Sequence, residues 1–84
     1  MIVVEIFSKD DCQLCEAAKQ LLRKVKAVYP FELKEVTIRE GDEHFDSYHE
    51  RVPVILIEHE FAFQYRVSEE QLLKKLQSHA AAPK

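Results

Sequence analysis

Two kinds of apolar spacing alternate along the chain. Ile2, Val3, Val4, Ile6 and Phe7 form a nearly continuous run containing β-branched residues, the pattern of a central strand covered on both faces. Ser8 to Asp11 is a polar break, and Asp10 or Asp11 is placed to cap a helix that follows. From Leu14 the apolar positions become Leu14, Ala18, Leu21, Leu22, Val25 and Val28. Their steps of three and four mark one face of an amphipathic helix, which Pro30 stops. Phe31 to Ile38 reads as a second strand whose alternation slips between Leu33 and Val36, the place for a bulge or an early end. Arg39 to Asp42 holds the only glycine and reads as a loop. Phe45 and Tyr48 fit a short helix over Glu43 to His49.

Val54 to Ile57 is again continuously apolar and predicts a buried strand. Glu58 to Glu60 makes a turn, and Phe61, Phe63 and Tyr65 alternate as in a half-exposed edge strand. Ser68 opens a last helix with a capping box closed by Gln71, and Leu72, Leu73 and Leu76 form its buried stripe. Residues 80–84 read as a frayed tail. The predicted order is βαβαββα. A helical connection makes the first two strands parallel, and a short turn makes the last two antiparallel. The fold class is therefore α/β, one mixed four-stranded sheet with helices on both faces, in a single domain over residues 1–84.

Length and composition agree with this. The chain has 84 residues, 46% of them hydrophobic and 32% charged, so it has enough apolar side chains for one modest core. A formal net charge of −3 and the lack of a basic stripe argue against nucleic acid as a partner. No run approaches the roughly 18 apolar residues that would cross a membrane. The apolar start is too short for a signal peptide and has no basic segment before it, so the expected location is cytoplasmic. Two cysteines in that setting are kept reduced as a structural pair, and their value lies in reactivity or metal binding.

Those cysteines carry the chemistry. Cys12-Gln13-Leu14-Cys15 stands where the first strand ends and the first helix begins. Free N–H groups at a helix start, with the helix dipole, stabilise negative charge, and only the thiolate attacks a disulfide. Cys15 shares a helix face with Ala18 and Leu22 and is expected to point inward, leaving Cys12 exposed. Cys12 is therefore assigned as nucleophile and Cys15 as the resolving thiol. Asp10 and Asp11 oppose ionisation of Cys12, against the helix terminus and Lys9.

With this motif and Arg51-Val52-Pro53-Val54 before the third strand, the chain resembles the glutaredoxin-like members of the thioredoxin superfamily over nearly its whole length. The resemblance implies a thioredoxin/glutaredoxin fold and a dithiol–disulfide oxidoreductase acting on protein or low-molecular-weight disulfides. It implies a cis Val52-Pro53 bond beside the redox pair, with Val52 offering backbone hydrogen bonds to an extended substrate. Leu14 takes the family's tyrosine position between the cysteines and joins the substrate-binding set. Glutathione or a thioredoxin-reductase-type donor is the implied electron source, with no bound cofactor or metal and a monomeric chain.

One departure bears on glutathione. The family's Gly-Gly pair after the last strand is replaced by Gln64-Tyr65-Arg66-Val67. Ser68 and Glu69 remain as candidates for its γ-glutamyl end, and Ser68 reads equally as a plain N-cap. Arg51 is a candidate for a substrate carboxylate and reads equally as a solvated charge near Glu50. His44, His49, His59 and His79 read as exposed helix or turn residues, none of them placed as a catalytic base. Two other functions fit the residues. One is a metal-binding module in which Cys12 and Cys15 join His44 and His49. The other is a redox-silent adaptor that keeps the fold alone.

Overall fold

The computed structural model describes residues 1–81. Its elements are β1 (Val3–Ser8), α1 (Gln13–Val28), β2 (Glu32–Thr37), α2 (Phe45–Tyr48), β3 (Val54–Ile57), β4 (Glu60–Gln64) and α3 (Glu69–Ala81). The strands form one sheet in the order β2-β1-β3-β4. β1 runs parallel to β2 and antiparallel to β3, and β3 runs antiparallel to β4. This is the expected element order and mixed topology. Helix α3 continues through Ala81, and positions 82–84 of the expected tail lie outside the described residues. Among the described residues, no helix is long and apolar enough to cross a membrane.

Strand pleating sends alternate β1 residues to opposite faces. Val4 and Ile6 meet Ile55 and Ile57 from β3, Ala18, Leu22 and Val25 from α1, and Leu72 and Leu76 from α3, all buried in one cluster. Phe7 points the other way and packs with Cys15, Ile38, Val52 and Val54, with Phe45 and Tyr48 of α2 against them. Helices thus cover both faces, two on one and a single turn on the other.

Four details differ from the sequence reading. The β1–β2 register is unbroken from Val3↔Glu32 to Ser8↔Thr37, so β2 has no bulge. The alternation slips there because β2 is an edge strand with Lys34, Glu35 and Val36 all exposed, and little burial constrains its pattern. The bulge lies instead in the β3–β4 pair, where Ile55 opposes Phe63 and Leu56 opposes Phe61. The extra residue, Ala62, turns Phe63 toward the larger cluster and leaves Phe61 53% exposed beside Leu56. Tyr65 falls beyond the end of β4. Val28, at the end of the apolar stripe of α1, is 75% exposed, and Phe31 enters the core in its place after Pro30.

Candidate active site

The site begins where β1 hands over to α1. Asp11 takes a left-handed conformation at φ 57°, which lets the chain leave the buried end of β1 and enter the helix. Aspartate tolerates this region better than most residues. The N-cap of α1 is then Cys12 itself, in extended backbone, and neither Asp10 nor Asp11 caps the helix. The Cys15 backbone N–H donates to Cys12 Sγ over 3.1 Å, and the Glu16 N–H donates to the Cys12 carbonyl over 3.1 Å. A sulfur in the N-cap role receives one of the N–H groups that a helix start leaves without partners, a setting that favours its negative form.

Cys12 and Cys15 stand one turn apart with Cα atoms 5.2 Å from each other and their sulfurs joined as a disulfide. Cys15 is 1% exposed and Cys12 is half-buried. Inward Cys15 and accessible Cys12 agree with the sequence reading, with one correction. Cys15 packs with Phe7 and Val52 on the α2 side of the sheet, whereas Ala18 and Leu22 pack on the other side. Cys15 sits in the first turn, where the helix passes the end of the sheet.

Val52 and Pro53 are buried, and Val52 belongs to the same cluster as the cysteines. The Val52–Pro53 peptide bond is cis. The Tyr65 N–H donates to the Pro53 carbonyl over 3.0 Å, which ties the end of β4 to this corner. Tyr65 takes φ 66° and is 45% exposed. A bulky residue in the left-handed region is a genuine backbone outlier. Nothing in the sequence pointed to it, because tyrosine continued the alternation of β4.

The remaining expected residues separate into groups. Leu14 and Glu69 line one cleft of about 280 Å³ with Leu21, Tyr65, Arg66 and Val67. Glu69 also pairs with Lys24 at 3.7 Å. Ser68 and Gln71 form the reciprocal capping box, Gln71 N–H to Ser68 Oγ at 3.1 Å and Ser68 N–H to Gln71 Oε1 at 3.2 Å. The Ser68 N–H and its Oγ acceptor are thus both given to Gln71 of α3. Arg51 is drawn onto α2, where Nε donates to the Ser47 carbonyl over 3.1 Å and the guanidinium lies 5.6 Å from the Tyr48 ring centroid. His44 stacks on Tyr48, and His49 stacks on Phe45 while its Nδ1 lies 2.8 Å from the Phe45 carbonyl. Among the described residues, no group of three or more His, Cys, Asp or Glu side chains is gathered to hold a metal.

A second and larger cleft, about 650 Å³, opens on the Cys12 side of α1 and is lined by Asp11, Cys12, Gln13, Glu16, Ala17 and Gln20. Sequence reasoning used Asp11 as a possible cap and as a charge opposing Cys12 ionisation, and gave Glu16 no role. Helical spacing does hold the signal, since Gln13, Glu16 and Gln20 share a face.

Comparison with known proteins supplies the relatives of this arrangement. Residues 3–77 match the family model described as "Glutaredoxin-like domain". The "Glutaredoxin-like protein YDR286C homolog" of Dictyostelium discoideum is 28% identical, with 92% of this chain and 77% of that protein covered. Among solved structures, protein Ne2328 from Nitrosomonas europaea aligns with a TM-score of 0.73 at 26% identity, covering 88% of this chain and 89% of the other. Glutaredoxin 1 from Francisella tularensis, complexed with cacodylate, aligns with a TM-score of 0.62 at 18% identity, covering 98% of this chain and 100% of the other.

Proposed function

From the premise that this chain belongs to the glutaredoxin-like domain family, we propose that it is a dithiol–disulfide oxidoreductase with Cys12 as nucleophile and Cys15 as resolving thiol. The single observation that carries this reading is the position of the Cys12 sulfur. It caps α1, accepts the Cys15 N–H at 3.1 Å, stays accessible, and has a buried partner sulfur one turn away.

The chemistry follows from that placement. The Cys12 thiolate attacks one sulfur of a disulfide, forming a mixed disulfide and releasing the other half as a thiolate. Cys15 then loses its proton and attacks the Cys12 sulfur, releasing the second half. The substrate gains two electrons, and the protein ends as the Cys12–Cys15 disulfide. Burial keeps Cys15 from meeting solvent oxidants and gives it the Cys12 sulfur as its near target. Val52, packed in the cluster of the cysteines, offers backbone hydrogen bonds to an extended substrate, while its side chain and that of Pro53 are buried beneath. Glutathione or a flavin-dependent reductase restores the dithiol, in a cytoplasmic setting where the thiol pool is reducing. In this reading the protein works as a monomer.

The test is turnover of a small disulfide, run once with glutathione and once with a thioredoxin reductase system. Cys12→Ser is expected to abolish both, and Cys15→Ser to spare only steps that glutathione itself completes. An active Cys12→Ser variant with a dead Cys15→Ser variant reverses the roles. A reduced protein that does not lose two thiols together on mild oxidation ends the redox reading in favour of an adaptor.

A further inference from the structure

The cleft beside Cys12 has a one-sided wall. Its two charged side chains, Asp11 and Glu16, are both carboxylates, and its other members are Cys12, Gln13, Ala17 and Gln20. The surrounding cations are largely engaged elsewhere. Arg39 Nε lies 3.5 Å from Asp10 Oδ2, on the neighbour of Asp11. Arg51 is held on α2, and Arg23, although it stands within Coulombic reach of Glu16, commits its guanidinium to Glu35 through two hydrogen bonds of 3.1 and 2.7 Å. Lys9, exposed and three positions before Cys12, is the nearest cation in sequence and opposes only part of this charge. Arg66 lines the other cleft.

We infer that the disulfide attacked by Cys12 carries positive charge beside its sulfurs, so that basic disulfides are the preferred substrate class and carboxylate-bearing ones such as oxidised glutathione are disfavoured. The inference rests on the oxidoreductase reading and adds a substrate class to it. In the first step the sulfur under attack must enter the cleft to bond with Cys12, which brings its flanking groups within several ångströms of Asp11 and Glu16. Two fixed negative charges at that range attract an ammonium group and repel a carboxylate. In exposed surroundings their combined effect on relative rates is on the order of tenfold at low salt. The second step, attack by Cys15 on Cys12, takes place within the protein and is not sorted by this charge.

The experiment mixes fully reduced protein with cystamine, bis(2-hydroxyethyl) disulfide or oxidised glutathione at near-neutral pH and follows loss of the protein thiols. Each rate is divided by that of a small monothiol with the same disulfide, which removes the leaving group's own reactivity. The normalised cationic-to-anionic ratio is expected to be about tenfold or more at about 0.02 M ionic strength and to shrink severalfold at about 0.5 M. Asp11→Asn combined with Glu16→Gln is expected to bring it toward one. Asparagine accepts the left-handed backbone of Asp11, and any change in Cys12 ionisation cancels in the ratio. Should the double variant fail to fold, the salt dependence of the unaltered protein still decides. A ratio near or below one, or one indifferent to salt, overturns the inference and leaves the oxidoreductase reading standing. Failure to reduce any of the three disulfides overturns both.

Discussion

The two faces of the sheet use the same strands for different ends. On the face covered by α1 and α3, ten buried side chains among the described residues form the larger cluster, and every one is apolar and chemically inert. On the α2 face a smaller cluster of Phe7, Cys15, Ile38, Val52 and Val54 has the reactive sulfur at its edge. Strand β1 serves both, sending Val4 and Ile6 one way and Phe7 the other. The strained backbone lies at the ends of the strands and not on either face. Among the described residues, the non-glycine positions at positive φ are Asp11 and Tyr65, which bracket the site, and Glu58 and His59 in the β3–β4 turn. A domain this small has few kcal/mol of stability to lose. The larger cluster secures stability on one face, the smaller one carries the cysteines, and irregular backbone at Asp11 and Tyr65 stands at the end of the sheet that holds them.

That division predicts opposite results for substitutions on the two sides. Cys12→Ser is expected to lower disulfide turnover by at least about a thousandfold, because a hydroxyl does not replace the thiolate. Its stability is expected to stay within about 1 kcal/mol of the reduced protein, since serine is itself a good N-cap. Leu22→Ala, fully buried in the larger cluster, is expected to cost about 3 kcal/mol in urea unfolding. Its rate per folded molecule should hold. A Leu22→Ala protein with its unfolding midpoint unmoved and its rate per folded molecule lowered would erase the distinction between the faces.

Phe7 tests the border. It is 5% exposed, touches Cys15's cluster, and meets the rings of His44 and Tyr48 at centroid distances of 5.2 and 5.1 Å. Phe7→Leu is expected to cost about 1.5 kcal/mol, less than Leu22→Ala, because leucine refills most of the volume. Unlike Leu22→Ala it should also slow the resolving step, since Cys15 packs directly in that cluster. Quenched-flow detection of a longer-lived mixed disulfide would report this. Equal lifetimes in Phe7→Leu and the unaltered protein would detach the packing of this face from its chemistry.

The sequence was most legible where burial is strong. The runs Val4–Phe7 and Val54–Ile57, the stripe Ala18–Leu22–Val25 and the Ser68–Gln71 capping box all appear where periodicity and local chemistry put them. The cysteine pair was legible because spacing and location coincided. Reading failed where neighbours decide the outcome. The false bulge in β2 came from treating an edge strand as if both faces were constrained. The real bulge at Ala62 depends on how β4 meets β3, and the pair it displaces, Phe61 and Phe63, keeps perfect alternation in the sequence. Arg51 precedes Val52 in the chain, yet its direction is set by Ser47 and Tyr48, whose positions no spacing rule supplies.

Tyr65 is the hardest of these cases and makes the smallest but cleanest test. Its φ of 66° costs a bulky L-residue about 1–2 kcal/mol, while its N–H to the Pro53 carbonyl holds it there. Tyr65→Gly removes that cost, although glycine gives back part of the gain by loosening the unfolded chain and the ring's half-exposed contacts are lost. The net change should therefore lie within about 1 kcal/mol of zero. Tyr65→Val should be less stable than Tyr65→Gly by about 1 kcal/mol, because a β-branched side chain fits the left-handed region worst. Burial alone argues the reverse order, since valine covers more apolar surface than glycine. Urea midpoints placing valine at or above glycine would mean that side-chain contacts, and not the backbone beside Pro53, govern this edge of the site.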